Sequence, residues 1–411
     1  MIPTLKKLLF SQNRSSLNLF LVMPVLILTS FCCLCSGGNE LQTCITSDGA
    51  NLVWAGSDFQ IIRLSDGAVT FSDKTRYADV LCPDGNEIIS VKEELVRKNN
   101  ESRPERTAVL RNAAKSYRLA DIESFQKYQG FIQNRYFVSS SRGFVEKTRT
   151  VGSGKSSRTE RYKVYDQPQI FTLEDSTNGQ LKSHYLHRDT LGLPETKLYD
   201  DLWFYSLSLD ENGSLLFAMH NKSDRAVTLH KINMFDGKIT PTGAAVPLPK
   251  EMRTLEKVDS DKSGKFVAFV YEGEDGGANQ KLVNILSRET NLVVISKNIK
   301  GVSFSSGTPS LAFEENGRKL ALMVEGFKFD PTRSVHDITV FDLETGREIS
   351  NIDAEDFFKK PERVGLIGLI GDELVLTYSN KKGPVSGDES HLCKVNLLSK
   401  QIVWDKNMSE K

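Results

Sequence analysis

Short, nearly unbroken apolar runs recur along the chain, and a tight-turn signature precedes each. Thr46-Ser47-Asp48-Gly49 leads into residues 52–55, Cys82-Pro83-Asp84-Gly85 into 87–91, and Asp210-Glu211-Asn212-Gly213 into 215–218. Asp261-Lys262-Ser263-Gly264 leads into 266–270 and Glu314-Glu315-Asn316-Gly317 into 320–324, while Gly371-Asp372 separates 366–370 from 374–378. A weaker copy surrounds Gln133-Asn134-Arg135, before Tyr136-Phe137-Val138, and brings the units to seven. Asp-Gly and Asn-Gly supply the positive backbone angles that hairpin turns demand, since glycine has no Cβ to clash and Asn and Asp tolerate the region. Continuous apolar runs of this length suit strands buried on both faces.

A second hairpin follows in the units: 61–71 around Asp66-Gly67, 229–239 around Asp236-Gly237, 338–349 around Thr345-Gly346, and 395–404 around Ser399-Lys400. These segments alternate better between apolar and polar positions, as half-exposed outer strands do. Two hairpins per unit make a four-stranded meander. The turn glycines Gly213, Gly264, Gly317 and Gly371 stand 51, 53 and 54 residues apart, close to the period of propeller blades. Strands repeating at this period without helices predict an all-β fold, a β-propeller of about seven four-stranded blades, rather than a sandwich.

Two segments carry a family resemblance. Cys82-Pro83-Asp84-Gly85-Asn86-Glu87-Ile88-Ile89 resembles the inner hairpin of WD-repeat-like and related bacterial propellers, and Val340-Phe341-Asp342-Leu343-Glu344-Thr345-Gly346-Arg347 resembles their outer hairpin. The likeness covers nearly all of 41–405 in pattern and is close in two or three units. The Gly-His…Trp-Asp signature of true WD repeats is absent; Trp404-Asp405 occurs once, at the chain end, and is read as coincidence. The resemblance implies the broad propeller class and no functional subfamily.

The N-terminus breaks the pattern. Lys6, Lys7 and Arg14 precede an uncharged stretch, 15–39, with its apolar centre at 19–28 and Ser36-Gly37-Gly38 at its end. A basic lead, an apolar run and small polar residues are the layout of a secretory signal. A retained anchor is the alternative, because the run approaches spanning length, but Pro24 and the Ser-Gly-Gly ending argue for cleavage or lipidation. Leu28-Thr29-Ser30-Phe31-Cys32 resembles a loose bacterial lipoprotein signal, with Phe31 where that pattern wants a small residue. The resemblance implies lipid attachment at Cys32, with Cys33 beside it as the alternative. The chain therefore divides into a signal segment, 1–35, and one repeat-built propeller, 36–411, in an exported protein that is a bacterial membrane-anchored lipoprotein or is periplasmic or extracellular.

Charge narrows the partners. Lys+Arg and Asp+Glu both number 53, so no global basic excess exists to hold phosphate backbones, and nucleic acid is not an expected partner. Beyond the signal, Cys44, Cys82 and Cys393 form neither a disulfide framework nor paired zinc ligands, and buried free thiols are expected.

The densest candidate chemistry is the basic stretch 142–163, an insertion carrying Arg142, Lys147, Arg149, Lys155, Arg158, Arg161 and Lys163 against Glu146 and Glu160. A solvated loop is the plain reading; contact of Arg149, Lys155, Arg158 and Arg161 with an anionic lipid or an acidic partner is the sharper one. Gly152-Ser153-Gly154-Lys155-Ser156 lacks the first glycine of a P-loop, Arg149 standing in its place, and its flanks read as two strands rather than strand and helix. His184 and His187 fall three apart in an outer strand, on opposite faces, which spoils a shared metal site. Glu272, Glu274 and Asp275 lack the spacing of a calcium loop and read as an acidic turn. Residues 92–106 and 241–249 read as solvent connections, and no Gly-x-Ser-x-Gly elbow occurs.

These features point to a non-catalytic binding or scaffold module at the cell envelope, with a protein or glycan partner, a membrane contact through a lipid anchor, a monomeric state, and neither cofactor nor metal. The competing reading is a lactonase-like propeller hydrolase with a metal at the central mouth. An envelope assembly factor is a third. A quinone-dependent dehydrogenase is disfavoured, since Trp54, Trp203 and Trp404 are too few for tryptophans reused in every blade.

Overall fold

The computed structural model describes residues 43–46, 49–55, 59–73, 77–81, 88–98, 101–111, 116–121, 125–132, 135–140, 143–151, 158–167, 169–174, 181–185, 202–210, 212–221, 225–233, 235–243, 245–275, 278–300, 302–304, 309–328, 334–358, 361, 363–380 and 389–408; across 77–204 the description is of strands and their pairing. The chain divides into two compact units, Met1–Asn39 and Glu40–Lys411. The first, with the expected signal segment and Cys32, lies outside the described residues. No helix among the described residues is long and apolar enough to cross a membrane.

Among these residues the strands form seven antiparallel sheets of four or five strands each, and one separate two-stranded hairpin. In chain order the sheets occupy 43–73, 77–121, 125–185, 202–247, 252–299, 302–353 and 363–407, and are called first to seventh here. The third is interrupted by the hairpin Gly143–Val151 with Arg158–Gln167. Apart from that insertion and two short extra strands, each sheet is a simple up-and-down meander.

The turns form as their residues dictate. Gly49, Gly213, Gly264 and Gly317 sit at φ values of +66°, +75°, +68° and +69°, the left-handed region open to glycine. Each donates its N–H to the carbonyl three residues back, at 2.8 to 3.0 Å, on Thr46, Asp210, Asp261 and Glu314. The side chain opening the turn adds further bonds: Asp210 Oδ1 accepts from the N–H groups of Asn212 and Ser214 at 3.1 and 2.9 Å, and Asp261 Oδ1 from Phe266 N–H at 2.6 Å. In the outer hairpins of the fifth and seventh sheets, Asn291 (φ +56°) and Lys400 (φ +52°) take the place of glycine.

In the fifth, sixth and seventh sheets the apolar runs are continuous because neighbouring sheets cover both faces of the second strand. In Phe266–Asp275, Val267, Phe269 and Tyr271 pack toward Leu216 and Ala218 of the fourth sheet, while Phe266, Ala268 and Val270 pack toward Leu320, Leu322 and Val324 of the sixth. The alternation repeats one sheet on: Ala321 and Met323 turn to Leu374 and Leu376 of the seventh. Val375 then packs with Leu52, Ile62 and Leu64 of the first sheet. Alternating side chains of a pleated strand thus serve two neighbours, and each fully buried Leu, Val or Phe contributes about 1.5–3 kcal/mol. The first strands of successive sheets also touch in chain order through the first, second, third, fourth and fifth sheets, and the first strand of the seventh meets that of the first. The architecture is β-propeller-like.

The first strand of the first sheet pairs without a shift, whereas those of the later sheets are irregular. Register shifts leave residues unpaired at Ala78, Gln126, Gln129, Leu207, Arg253, Glu256 and Ile367, and in the sixth sheet the same strand is split into Val302–Phe304 and Ser310–Phe313. Such bulges sharpen the local twist.

Candidate functional site

Meander topology gives every sheet two unlike edges. The turns between strands one and two, and three and four, leave on one edge; the links between strands two and three, and between sheets, leave on the other. On the turn edge, side chains of neighbouring sheets interlock: Lys262 pairs with Glu315 at 3.3 Å, and Lys319 with Asp372 at 2.6 Å. The loop edge carries Lys281, Glu325, His336 and Tyr378 and the insertion, whereas the buried carboxylates Asp261 and Glu314 stand in turns of the other edge.

In the fifth sheet Lys281 is 2% exposed, and its Nζ donates to Glu256 Oε1 at 2.5 Å and Glu272 Oε1 at 3.0 Å. Arg253 pairs with Glu274 beside them. Two members of the acidic group expected to form a turn are therefore bound to cations, and Glu272, Glu274 and Asp275 end a strand rather than form a turn. The strand continues because Asp275 pairs with Ala278 across the link. Lys281 was legible, being in phase with the buried Val283 and Ile285; Glu256 was not, since it reaches the lysine from a bulge.

In the sixth sheet Glu325 and His336 stand opposite each other on paired strands. Burial pushes the Glu325 carboxyl up to about 6 against the opposing pull of Arg363. Burial likewise holds His336 below its ordinary value, although Asp353, Glu355 and Asp337 pull it up. His336 is 2% exposed, and its Nδ1 has no hydrogen-bond partner among the described residues. In the seventh sheet Tyr378 Oη donates to Asp405 Oδ2 at 2.5 Å, and His391 Nδ1 lies 3.0 Å from Asp405 Oδ1. The Tyr378 ring stacks between Phe358 and His391, at 4.1 and 4.6 Å. Burial, then the bond to Asp405, raises the tyrosine hydroxyl above its ordinary range, so it stays a donor. Both oxygens of Asp405 are engaged, and the arrangement clamps three strands together. Among the described residues no group of three or more His, Cys, Asp and Glu is placed to hold a metal. Cys393 is a buried free thiol, as expected.

The basic stretch is not an irregular loop. Its residues 143–151 and 158–167 form a hairpin in register, leaving the loop edge after Arg135–Ser140 and returning at Gln169–Glu174. β-Branched and aromatic residues at Val145, Thr148, Thr150, Thr159, Tyr162 and Val164 favour the strands. Arg149 pairs with Glu160, Arg158 with Val151 and Arg161 with Thr148. Register thus puts Arg149 and Arg158 on one face, together with Lys147, and Arg161 and Lys163 on the other. Lys155 lies outside the described residues, as does His187; His184 falls in the outermost strand of the third sheet. The second sheet projects a similar ribbon. Ile88–Lys98 and Glu101–Arg111 stay paired to Lys98↔Glu101, whereas the flanking strands reach only Lys92 and Thr107. Residues 93–106 are therefore mostly strand, not the solvent loop that their mixed charges suggested. Val246–Pro247 likewise forms a short strand within 241–249.

No protein family matches this chain, and no curated relative matches it in sequence. Solved structures do resemble it. TolB from Acinetobacter baumannii aligns over 76% of this chain and 63% of its own, at 11% identity and a TM-score of 0.39. Porphyromonas gingivalis dipeptidyl peptidase 4 aligns over 91% and 60%, at 8% identity and a TM-score of 0.48. The oligogalacturonate lyase of Vibrio parahaemolyticus aligns over 72% and 76%, at 8% identity and a TM-score of 0.47. The chain spans less than two thirds of the length of the first two. At these scores the likenesses assign no activity to this chain.

Proposed function

We propose that this chain is an exported, non-catalytic propeller of seven blades that acts as a binding or scaffold module at the cell envelope. The ring reading is supported by the order of contacts between first strands and by the packing of Val375 against Leu52. The observation that carries the binding reading is the basic hairpin standing out from the loop edge. A rigid ring presenting ribbons and loops is a scaffold for contact. The buried ionisable groups described above are instead engaged with one another or enclosed by strands.

In this reading the protein is a monomer, held at the membrane by acylation at Cys32 of its signal segment, and presents its ring to a protein or glycan. Arg149, Lys155, Arg158 and Arg161 contact an anionic surface. Mass measurement of the mature N-terminus tests the anchor: an acylated chain beginning at Cys32 is expected, and a chain retaining Met1 overturns it. Photo-cross-linkers placed singly at the loop edge and at the turn edge, in intact host cells, are expected to give one reproducible adduct. Chelator-sensitive hydrolysis of lactones by the purified protein would replace this reading with that of a metal hydrolase.

A further inference from the structure

We propose that Glu389 and His391, two residues apart on the third strand of the seventh sheet, hold a divalent metal ion of the zinc class at the loop edge. The site goes beyond the binding reading above and does not depend on what the ring binds.

Residues two apart on a strand present their side chains on one face, and Glu389 and His391 do so at the start of Glu389–Asn396. His391 Nε2 and Glu389 Oε2 stand 3.9 Å apart. The far atom of each side chain is tied elsewhere. Asp405 accepts from Tyr378 Oη on Oδ2, and its Oδ1 lies 3.0 Å from His391 Nδ1. An ionised carboxylate only accepts, so Nδ1 carries the proton, and in the neutral ring the lone pair is at Nε2, on the side of Glu389. Asn407 Nδ2 donates to Glu389 Oε1, and Oε2 is the oxygen nearer the ring. Stacking on Tyr378, at 4.6 Å and 16°, fixes the plane of the imidazole.

Two electron-rich atoms held this way call for a cation between them, either a proton on Nε2 or a metal. A separation of 3.9 Å is too wide for a hydrogen bond, so a proton gains no direct bond to Glu389. Two metal bonds of about 2.1 Å span up to about 4.2 Å, and tetrahedral ones need about 3.4 Å, a closure of about half an ångström. Asp405 behind the imidazole and Asn407 behind the carboxylate are the outer partners that orient such ligands. The side chains of Glu389 and His391 are 23% and 15% exposed, so an ion in solution reaches them. An imidazole nitrogen with a carboxylate oxygen suits zinc or cobalt, whereas magnesium and calcium take oxygen alone. No third His, Cys, Asp or Glu joins the pair among the described residues, and water takes the remaining positions, as in an open site.

The test uses the full chain, free of any affinity tag and stripped by chelator, titrated calorimetrically with zinc, cobalt, calcium or magnesium. One equivalent of zinc or cobalt per chain is expected, undisturbed by excess calcium or magnesium. Glu389→Gln keeps the shape of the side chain and should lose that equivalent, as should His391→Gln. Asp405 is a positioning residue, and Asp405→Asn should weaken binding about 10–100-fold and shift the visible band of the cobalt-loaded protein. Urea unfolding of the metal-free variants reports their folding; where His391→Gln does not fold, Glu389→Gln decides. Zinc should raise the unfolding midpoint of the wild type and leave that of Glu389→Gln unchanged. Absence of a bound equivalent in the wild type overturns the proposal, as does an equivalent retained by Glu389→Gln or by folded His391→Gln. Unchanged affinity and an unchanged band in Asp405→Asn would overturn the orientation assigned to the imidazole.

Discussion

The indole Nε1–H of Trp404 donates to the carbonyl oxygen of Leu64 at 2.9 Å, joining positions 340 residues apart. Trp404 lies in the last strand of the seventh sheet and Leu64 in the outer hairpin of the first. Each sheet is built from strands of one stretch of the chain, so among the described residues no strand of one terminus completes a sheet of the other. Side chains make this seam, with Val375 and Leu392 packed against Leu52, Ile62 and Leu64, and Trp404 against the cluster's edge. Trp404→Ala is expected to cost about 2–3 kcal/mol through the packing of a half-buried ring and its hydrogen bond, and Trp404→Phe about 1 kcal/mol through the lost hydrogen bond. Urea unfolding of the full chain reads both. A Trp404→Ala midpoint equal to wild type would show that the two sheets do not depend on this contact.

The turn glycines should differ in a way that sequence cannot rank. Gly371 is at φ +58° with nothing within 4 Å of where a Cβ would stand, whereas a Cβ on Gly346, at φ +68°, would lie 2.3 Å from the carbonyl oxygen of Val294. Gly371→Ala meets backbone strain alone and should cost about 1–2 kcal/mol. Gly346→Ala adds a clash with the backbone of the fifth sheet and should cost about 3 kcal/mol or more. Equal unfolding midpoints for the two variants would contradict the packing of the sixth sheet's outer turn on its neighbour.

Much of the fold was legible for one physical reason: a hairpin turn writes its demand into local sequence, and a strand covered on both faces becomes a continuous apolar run. The turn glycines Gly49, Gly213, Gly264 and Gly317, and the alternation through Phe266–Asp275, are both readable on that basis. Contacts made between sheets far apart in sequence leave no such trace. Trp404-Asp405 read as coincidence, yet Trp404 reaches Leu64, and Asp405 binds Tyr378 and lies beside His391. Mixed charge at 92–106 suggested a loop, because a paired ribbon that outruns its flanking strands shows no apolar alternation in its sequence. Glu256 reaches Lys281 through a bulge, and a bulge shifts the phase on which such a reading relies.

Acid should act on the sixth sheet through two opposed titrations. Glu325 rises from its ordinary 4.5 to about 6, so between those values the folded state binds more protons than the unfolded one, and stability falls as pH rises through that window. His336 is lowered from 6.5; the unfolded state then binds the extra proton, and stability falls as pH drops below 6.5. Glu325→Gln should remove the first slope, gaining on the order of 2 kcal/mol at pH 7, less whatever attraction to Arg363 is lost. Unfolding midpoints from pH 4 to 8 would show it. A variant whose profile matches wild type between pH 4.5 and 6 would mean that Glu325 titrates normally.

Lys281 poses the sharpest energetic question, because a cation 2% exposed between Glu256 and Glu272 is costly to desolvate and costlier to lose. Glu256 is itself 18% exposed, so Lys281→Met leaves its charge with little water to replace the ammonium. The single variant should lose about 3–5 kcal/mol, the cost of breaking a buried pair from one side. Neutralising both ends, Lys281→Met with Glu256→Gln, should recover a large part of that loss, since neither buried charge remains to be compensated. Glu272 is 36% exposed, and Glu272→Gln alone should cost about 1 kcal/mol or less. The three variants, measured by urea unfolding at neutral pH, separate pairing from packing. A double variant as unstable as Lys281→Met would show that the uncompensated charge of Glu256 is not what the single variant loses.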